Sequence, residues 1–447
     1  MNRHGSLSGM SQVTDPVAMR RLLQRGLPRY SAGELQITDL RVRRARYKPG
    51  RCGWIHYSLQ VEEQSTKRSG RQLLLGRIHL NGQHDPIADN ATAVSEPEFA
   101  PAYFELPQLN MELWGFPNDP KLVDLYRLQD CGFLTQLIQQ HRGKLPAGAI
   151  EICSAELVRY IPLKRCTMRH QLKVNGTVKG TVYSKMLTRK KSAKAIFKTM
   201  RSLWRSPICR SGKIVVPKPL CFDERMNVLF VRGLRGVRLY DQRAKIDLDA
   251  LSAEIGTALA GIHQCKIESL ARRPASTETI RKVLKAEKIL GGCDGNTRRH
   301  VSSLKSTLLE RQDDLPRIAL TPTHGAFRIS QLMFHRGKLA LLDFDGYQLG
   351  NPISDVGSFA AHLLYLPLIG RLSAIRSRSA VSHFCRAYAA AAPWGLPQQV
   401  LSWEIAASLI GKHTKNCVAK VKSSSNQRID QLLDLTSEVL AERTTWI

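Results

Sequence analysis

The stretch from Thr323 to Gly357 constrains this chain more than any other, because a glycine-opened loop, a short hairpin and two carboxylates follow one another without interruption. His324-Gly325 opens the loop. Leu332 to Phe334 and Leu339 to Leu342 read as an apolar strand pair, with His335-Arg336-Gly337-Lys338 turning between them. Asp343 and Asp345 then emerge where the hairpin ends, so two acidic side chains are expected at the rim of a rigid element.

A carboxylate at a strand end is a good hard-oxygen ligand for magnesium, and Asp343 is the candidate. Arg328 is placed in the loop to reach an anionic group. Phosphoryl transfer asks little more of a protein than such a metal ligand, cations for the phosphates and a carboxylate that orients the acceptor hydroxyl.

The motifs resemble those of the aminoglycoside phosphotransferase and choline kinase families, which read H-G-D-x-x-x-x-N followed by I-D-[FW]-[DE]. His324-Gly325, Leu342-Asp343-Phe344-Asp345 and Asn351-Pro352 with Asp355 fit that pattern. Two positions depart from it: Ala326 stands where the family has its catalytic aspartate, and Gln331 where it has a metal-binding asparagine. The resemblance implies an α+β, two-lobed, protein-kinase-like fold with a β-rich N-lobe and a helical C-lobe. It also implies ATP and Mg²⁺ as cofactors. It carries catalytic positions to His324, Ala326, Arg328 and Asp345, metal ligation to Gln331 and Asp343, and nucleotide contacts to Lys185, Phe230 and Val231. A methyl group cannot accept a proton, and losing a general base costs on the order of 10² to 10⁴ in rate. The fold is therefore more strongly implied than the activity.

Sixty-seven Lys and Arg against 37 Asp and Glu give a formal net charge of +30, which favours anionic partners: nucleotides, nucleic acid, anionic lipid or an acidic protein. No apolar run has the length of a membrane span or follows the start as a signal peptide would, so a soluble cytoplasmic protein is expected. The ten cysteines are scattered without a C-x-x-C pair, which fits reduced thiols rather than a disulfide framework. P-loop, H-E-x-x-H and G-x-S-x-G motifs are absent from the sequence, which removes the usual support for P-loop hydrolases, zincins and α/β-hydrolases.

Along the chain, residues 1–35 read as a flexible tail, 36–150 as a β-rich domain, 151–235 as a kinase-like N-lobe and 236–447 as a helical C-lobe. The two β-rich parts share a pattern. Arg46-Tyr47-Lys48-Pro49-Gly50-Arg51-Cys52 and Arg159-Tyr160-Ile161-Pro162-Leu163-Lys164-Arg165-Cys166 each precede a hairpin that ends in a basic residue, Arg77 or Lys185. An internal duplication of the N-lobe is expected from it. Lys190 to Arg205 reads as a helix with Ile196, Phe197, Met200, Leu203 and Trp204 on one face. Its other face carries Lys190, Lys194, Lys198, Arg201 and Arg205 and points to a polyanion or acidic partner. Val215 to Leu220 and Val228 to Val231 read as strands, Arg232 to Gly236 as a connection, and His362, His383 and His413 as isolated.

The leading reading is a catalytically impaired relative that keeps nucleotide affinity. The alternatives are an active small-molecule kinase in which Asp345 or a substrate group replaces the missing base, and a basic scaffold for nucleic acid or an acidic partner.

Overall fold

The computed structural model describes residues 11–48, 52–79, 94–140, 148–267, 270, 275–291, 293–414, 417 and 425–442. Pro49, Gly50 and Arg51 of the first shared pattern lie outside them. The chain divides into two compact units, Met1–Lys194 with Leu220–Arg232, and Ala195–Pro219 with Gly233–Ile447.

The first unit opens differently from the expected tail. Asp15 caps helix α1 (Pro16–Gly26) by accepting from the Val17 and Ala18 amides, and Pro16 begins it. Met19, Leu23, Leu27 and Tyr30 from this region are buried in the core of the first sheet, so the described part of the expected flexible tail, from residue 11 on, packs on that sheet. Apolar residues at i and i+4 from Met19 carried that information in a segment otherwise rich in arginine.

Strands β1 (Leu35–Lys48), β2 (Cys52–Glu63), β3 (Ser69–His79), β4 (Tyr103–Leu106) and β5 (Met111–Gly115) form an antiparallel sheet in the order β1-β2-β3-β5-β4. Helix α2 (Cys131–Gln139) leads to β6 (Ile150–Ile152), β7 (Glu156–Ile161), β8 (Arg165–Val174) and β9 (Thr177–Leu187). After helix α3 (Ala193–Trp204) come β10 (Pro219–Asp223) and β11 (Val228–Arg232). This sheet runs β6-β8-β9-β11-β10, with β7 also on β8. If β6 and β7 are taken as one interrupted strand, the two sheets have the same strand order.

Register refines the sequence pairing. Ile78 and Leu74 point into the first core while Arg77 lies on the other face; Met186 and Val182 point into the second core while Lys185 lies on the other face. The two basic residues are therefore equivalent by face. Cys52 pairs with His79 and faces away from its core, whereas Cys166 pairs with Met186 and is buried within its core. The Arg-Cys pairs are thus one residue out of register, enough to reverse the face.

The predicted basic helix is present as α3, with Ile196, Phe197, Met200 and Leu203 buried. Two details differ. Trp204 is 38% exposed, with the Lys218 ammonium 5.3 Å from its ring, and Lys194 bridges Glu224 at 2.8 Å, so the face is not of one sign. Val215 to Leu220 is not one strand: Val215 makes an isolated parallel bridge to Ala340, and β10 starts at Pro219.

In the second unit, β12 (Gly236–Arg238) precedes helices α4 (Leu248–His263), α5 (Ala275–Leu290) and α6 (Gly295–Gln312). Then come β13 (Thr321–Thr323), β14 (Leu332–His335), β15 (Lys338–Leu341) and β16 (Gln348–Gly350). Helices α7 (Ile353–Leu368), α8 (Ala374–Ala391), α9 (Gln398–Ser408) and α10 (Ser425–Leu440) complete it, with a π-helical turn at Leu409–Thr414. The expected hairpin is β14 and β15, turned by Arg336 at φ +52° and Gly337 at φ +75°, the two positive angles that a two-residue hairpin turn requires. Among the described residues no helix is long and apolar enough to cross a membrane.

Candidate functional site

The loop after β13 is held from below by one carboxylate. Asp355, in the first turn of α7 and 1% exposed, accepts from the His324 amide at 2.5 Å, the Gly325 amide at 2.9 Å and the Phe327 amide at 3.5 Å. His263 at the end of α4 lies 3.3 Å from the same carboxylate through Nε2. An ionised carboxylate only accepts, so His263 Nε2 carries a proton toward it, and Nδ1 pairs with the Tyr388 hydroxyl at 2.8 Å. Trp394 in turn donates to Tyr388 at 3.0 Å. Burial alone would raise the Asp355 carboxyl, but hydrogen bonding and charge from His263, together with His324, hold it below its ordinary value.

His324 is fully buried, and its Nε2–H donates to the Leu342 carbonyl at 3.0 Å. Burial lowers its imidazole pKa, against the opposing charge of Asp355. The ring thereby holds the backbone of Leu342, the residue before Asp343. Gly325 sits at φ +75°, where a Cβ would come 2.4 Å from the Gly346 carbonyl oxygen, so only glycine lets the loop back onto the turn that contains Asp345. Phe327 is buried against Phe359, with ring centroids 5.4 Å apart, and Phe359 against Phe384 at 4.3 Å.

Asp343 adopts φ +69° and ψ +67°, a left-handed conformation that costs a non-glycine residue of order 1–3 kcal/mol and points to a functional constraint. Leu342 N–H donates to the Gln331 carbonyl at 2.9 Å, which joins the backbone beside Asp343 to Gln331. Gln331 is 5% exposed, and its side-chain Oε1 has no hydrogen-bond partner. A buried carboxamide oxygen left this way costs about 1–3 kcal/mol. Two oxygen donors suit magnesium, which takes one or two protein ligands and completes its shell with phosphate and water. Among the described residues no cluster of three or more His, Cys, Asp or Glu offers an all-protein metal cage.

The structure gathers His324, Ala326, Arg328, Gln331, Asp343 and Asp345 on this loop and hairpin. Ala326 is half-buried and presents no polar group. Lys185 lies in the first unit on β9, half-buried and opposite Leu229 of β11, with Val231 on the same face. Phe230 is corrected: its ring is fully buried in the core on the opposite face and lines no surface.

Sequence reasoning passed over His263, Tyr388, Glu404 and Lys412, which lie far along the chain with no local motif. It also read His362 and His413 as isolated, yet their ring centroids are 5.7 Å apart. Glu404 on α9 is 2% exposed, and burial pushes its carboxyl up to about 8, against the opposing charge of Lys282. A folded value above the unfolded 4.5 contributes stability that is complete below 4.5 and is lost as the pH rises through 8. Glu404→Gln is expected to match the parent near the acid end and to exceed it by on the order of 3 kcal/mol at higher pH in denaturant titrations. A difference that stays constant with pH would refute this.

The fold and loop are kinase-like. Residues 183–394 match the phosphotransferase enzyme family, which bears out the resemblance read from the loop motifs. One solved structure agrees in fold, and others are similar at lower scores. A candidate aminoglycoside phosphotransferase from Ralstonia eutropha JMP134 superposes with TM-score 0.50 at 17% identity, over 69% of this chain and 97% of that one. Choline kinase from Cryptosporidium parvum Iowa II gives 0.47 at 12% identity, over 70% and 98%. The amicoumacin kinase hAmiN, solved with AMP-PNP, Ca²⁺ and Ami, gives 0.45 at 13%, over 65% and 89%. No curated protein matches the sequence significantly.

Proposed function

We propose that this phosphotransferase-fold protein binds a magnesium nucleotide through Gln331 and Asp343 and has lost efficient phosphoryl transfer. The observation that carries the reading is the buried, unpartnered Gln331 Oε1 beside a left-handed Asp343, in a loop that has Ala326 where the related families have a carboxylate. A bound magnesium would neutralise charge on the phosphate oxygens, the part of the chemistry that needs no base. Gln331 and Asp343 would hold it, Arg328 would face the phosphates, and Asp355 would fix the loop without touching the metal. Lys185 is proposed as a further phosphate-binding cation on the resemblance alone.

Titration calorimetry tests this. ATP is expected to bind only with magnesium, and Asp343→Ala or Gln331→Ala to weaken it by about tenfold or more, the scale on which metal sites respond to loss of a supporting group. Absence of magnesium-dependent ATP binding would remove the proposal. Turnover with an acceptor at about 1 s⁻¹ or above, the low end for kinases, would overturn its second half.

A further inference from the structure

Close to the loop, the second unit buries a set of nitrogen donors that the metal pair does not use. Lys412 stands in the π-helical turn Leu409–Thr414, and its ammonium donates to Ser358 of α7 at 3.0 Å. Among the described residues it has no carboxylate partner, so the ammonium has one acceptor and capacity for more. His413 follows it, 4% exposed, its ring 4.5 Å from Tyr365 and 5.7 Å from His362, while His362 lies 6.3 Å from Tyr240.

Neither ring nitrogen of His362 has a hydrogen-bond partner, and neither does Nε2 of His413. Buried polar atoms are nearly always satisfied, and the neutral His362 ring leaves its one N–H unmatched whichever nitrogen carries it, which calls for an acceptor that arrives from outside. Short π-helical segments inserted in α-helices occur often at functional sites, because the widened turn re-aims side chains. Lys412, His362, Tyr240 and Arg328 each keep part of their surface exposed, while the unmatched ring nitrogens lie beneath it.

We propose that Lys412, His362 and His413 form an oxyanion site on the helical unit, separate from Gln331 and Asp343, which holds the phosphate or carboxylate of a small hydroxyl-bearing molecule. Its role as an acceptor site rests on the nucleotide reading above; its binding chemistry does not. Burial, with the charges of Arg328 and Lys282, pushes the Lys412 ammonium down to about 7, and burial with Lys412 and Arg328 lowers His362 to about 3. An anion seated among them would reverse part of that cost. The same field opposes a cationic ligand, which sets this site apart from one built for an amine.

Calorimetry on the full chain without magnesium tests it, with glucose 6-phosphate, glucuronate, glucose, glucosamine and inorganic phosphate as probes. One of the two anionic sugars is expected to bind at least about tenfold more tightly than glucose, the value of a charge-assisted hydrogen bond, and which one does so identifies the oxyanion. Lys412→Met and His362→Phe, which keep bulk and remove donors, should abolish that preference while leaving magnesium-dependent ATP binding intact. Asp343→Ala should leave it unchanged. Equal affinity for glucose and both anions, preference for glucosamine, or a preference that survives both Lys412→Met and His362→Phe would overturn the proposal. So would loss of the preference in Asp343→Ala, which would tie the anion to the nucleotide loop rather than to a separate site. Should Lys412→Met not fold, the wild-type series and His362→Phe decide alone. ATP binding that fails while the sugar preference holds would remove the nucleotide reading and leave this site standing.

Discussion

Asp355→Ala is expected to destabilise the second unit by about 3–5 kcal/mol, the cost of removing one partner from a buried, charge-assisted network. The His324 and Gly325 amides would be left buried without an acceptor, and His263 would lose the group that orients it between Asp355 and Tyr388. Asp355→Asn keeps the shape but turns an N–H₂ toward N–H donors, so it should recover only part of the loss. Denaturant unfolding of the three proteins measures this. The parent's contribution from Asp355 is present above the ordinary carboxylate value and disappears as the pH falls through the lower folded one, because the folded carboxyl is held down. The gap between parent and Asp355→Asn should therefore shrink in acid. Equal stabilities at neutral pH would show that the loop is held by something else. Magnesium nucleotide binding should fall in Asp355→Ala as well, although the carboxylate touches neither proposed metal ligand, because the loop it fixes carries Gln331.

This anchoring was only half legible in the sequence. Asp355 could be picked out by its place after Asn351-Pro352, but its task could not, since the groups it receives come from residues about thirty positions earlier and from His263 on another helix. Local patterns did reach the hairpin β14–β15, whose turn residues fix its register. They failed at α1, where Arg20, Arg21 and Arg25 hid a buried stripe, and at Phe230 and Cys52, where one residue of register decides which face a side chain occupies. Lys412, His362 and His413 escaped for a further reason: single polar residues in apolar helices carry no period, and only packing brings them together.

Ala326→Asp combined with Gln331→Asn is expected to raise phosphoryl transfer by about 10²-fold, the lower end of what a general base supplies. The backbone on both sides of position 326 is already held, by Gly325 and Phe327 amides on Asp355, so a new carboxylate would start from a fixed base rather than a mobile loop. Position 331 is likewise fixed through its carbonyl to Leu342 and its amide to the Arg328 carbonyl at 2.9 Å. Asparagine there is one methylene shorter and matches the resembling families' pattern. With the acceptor unidentified, water serves, and magnesium-dependent release of phosphate from ATP is the readout. Ala326→Asp alone should give most of the gain if the base is what is missing, and Gln331→Asn alone should give little, since glutamine already offers its oxygen. A gain confined to Gln331→Asn would place the defect in the metal shell instead. No gain, with nucleotide affinity unchanged in the double variant, would mean that position 326 does not face the phosphate, and the decay of this loop could not then be explained by the loss of one carboxylate.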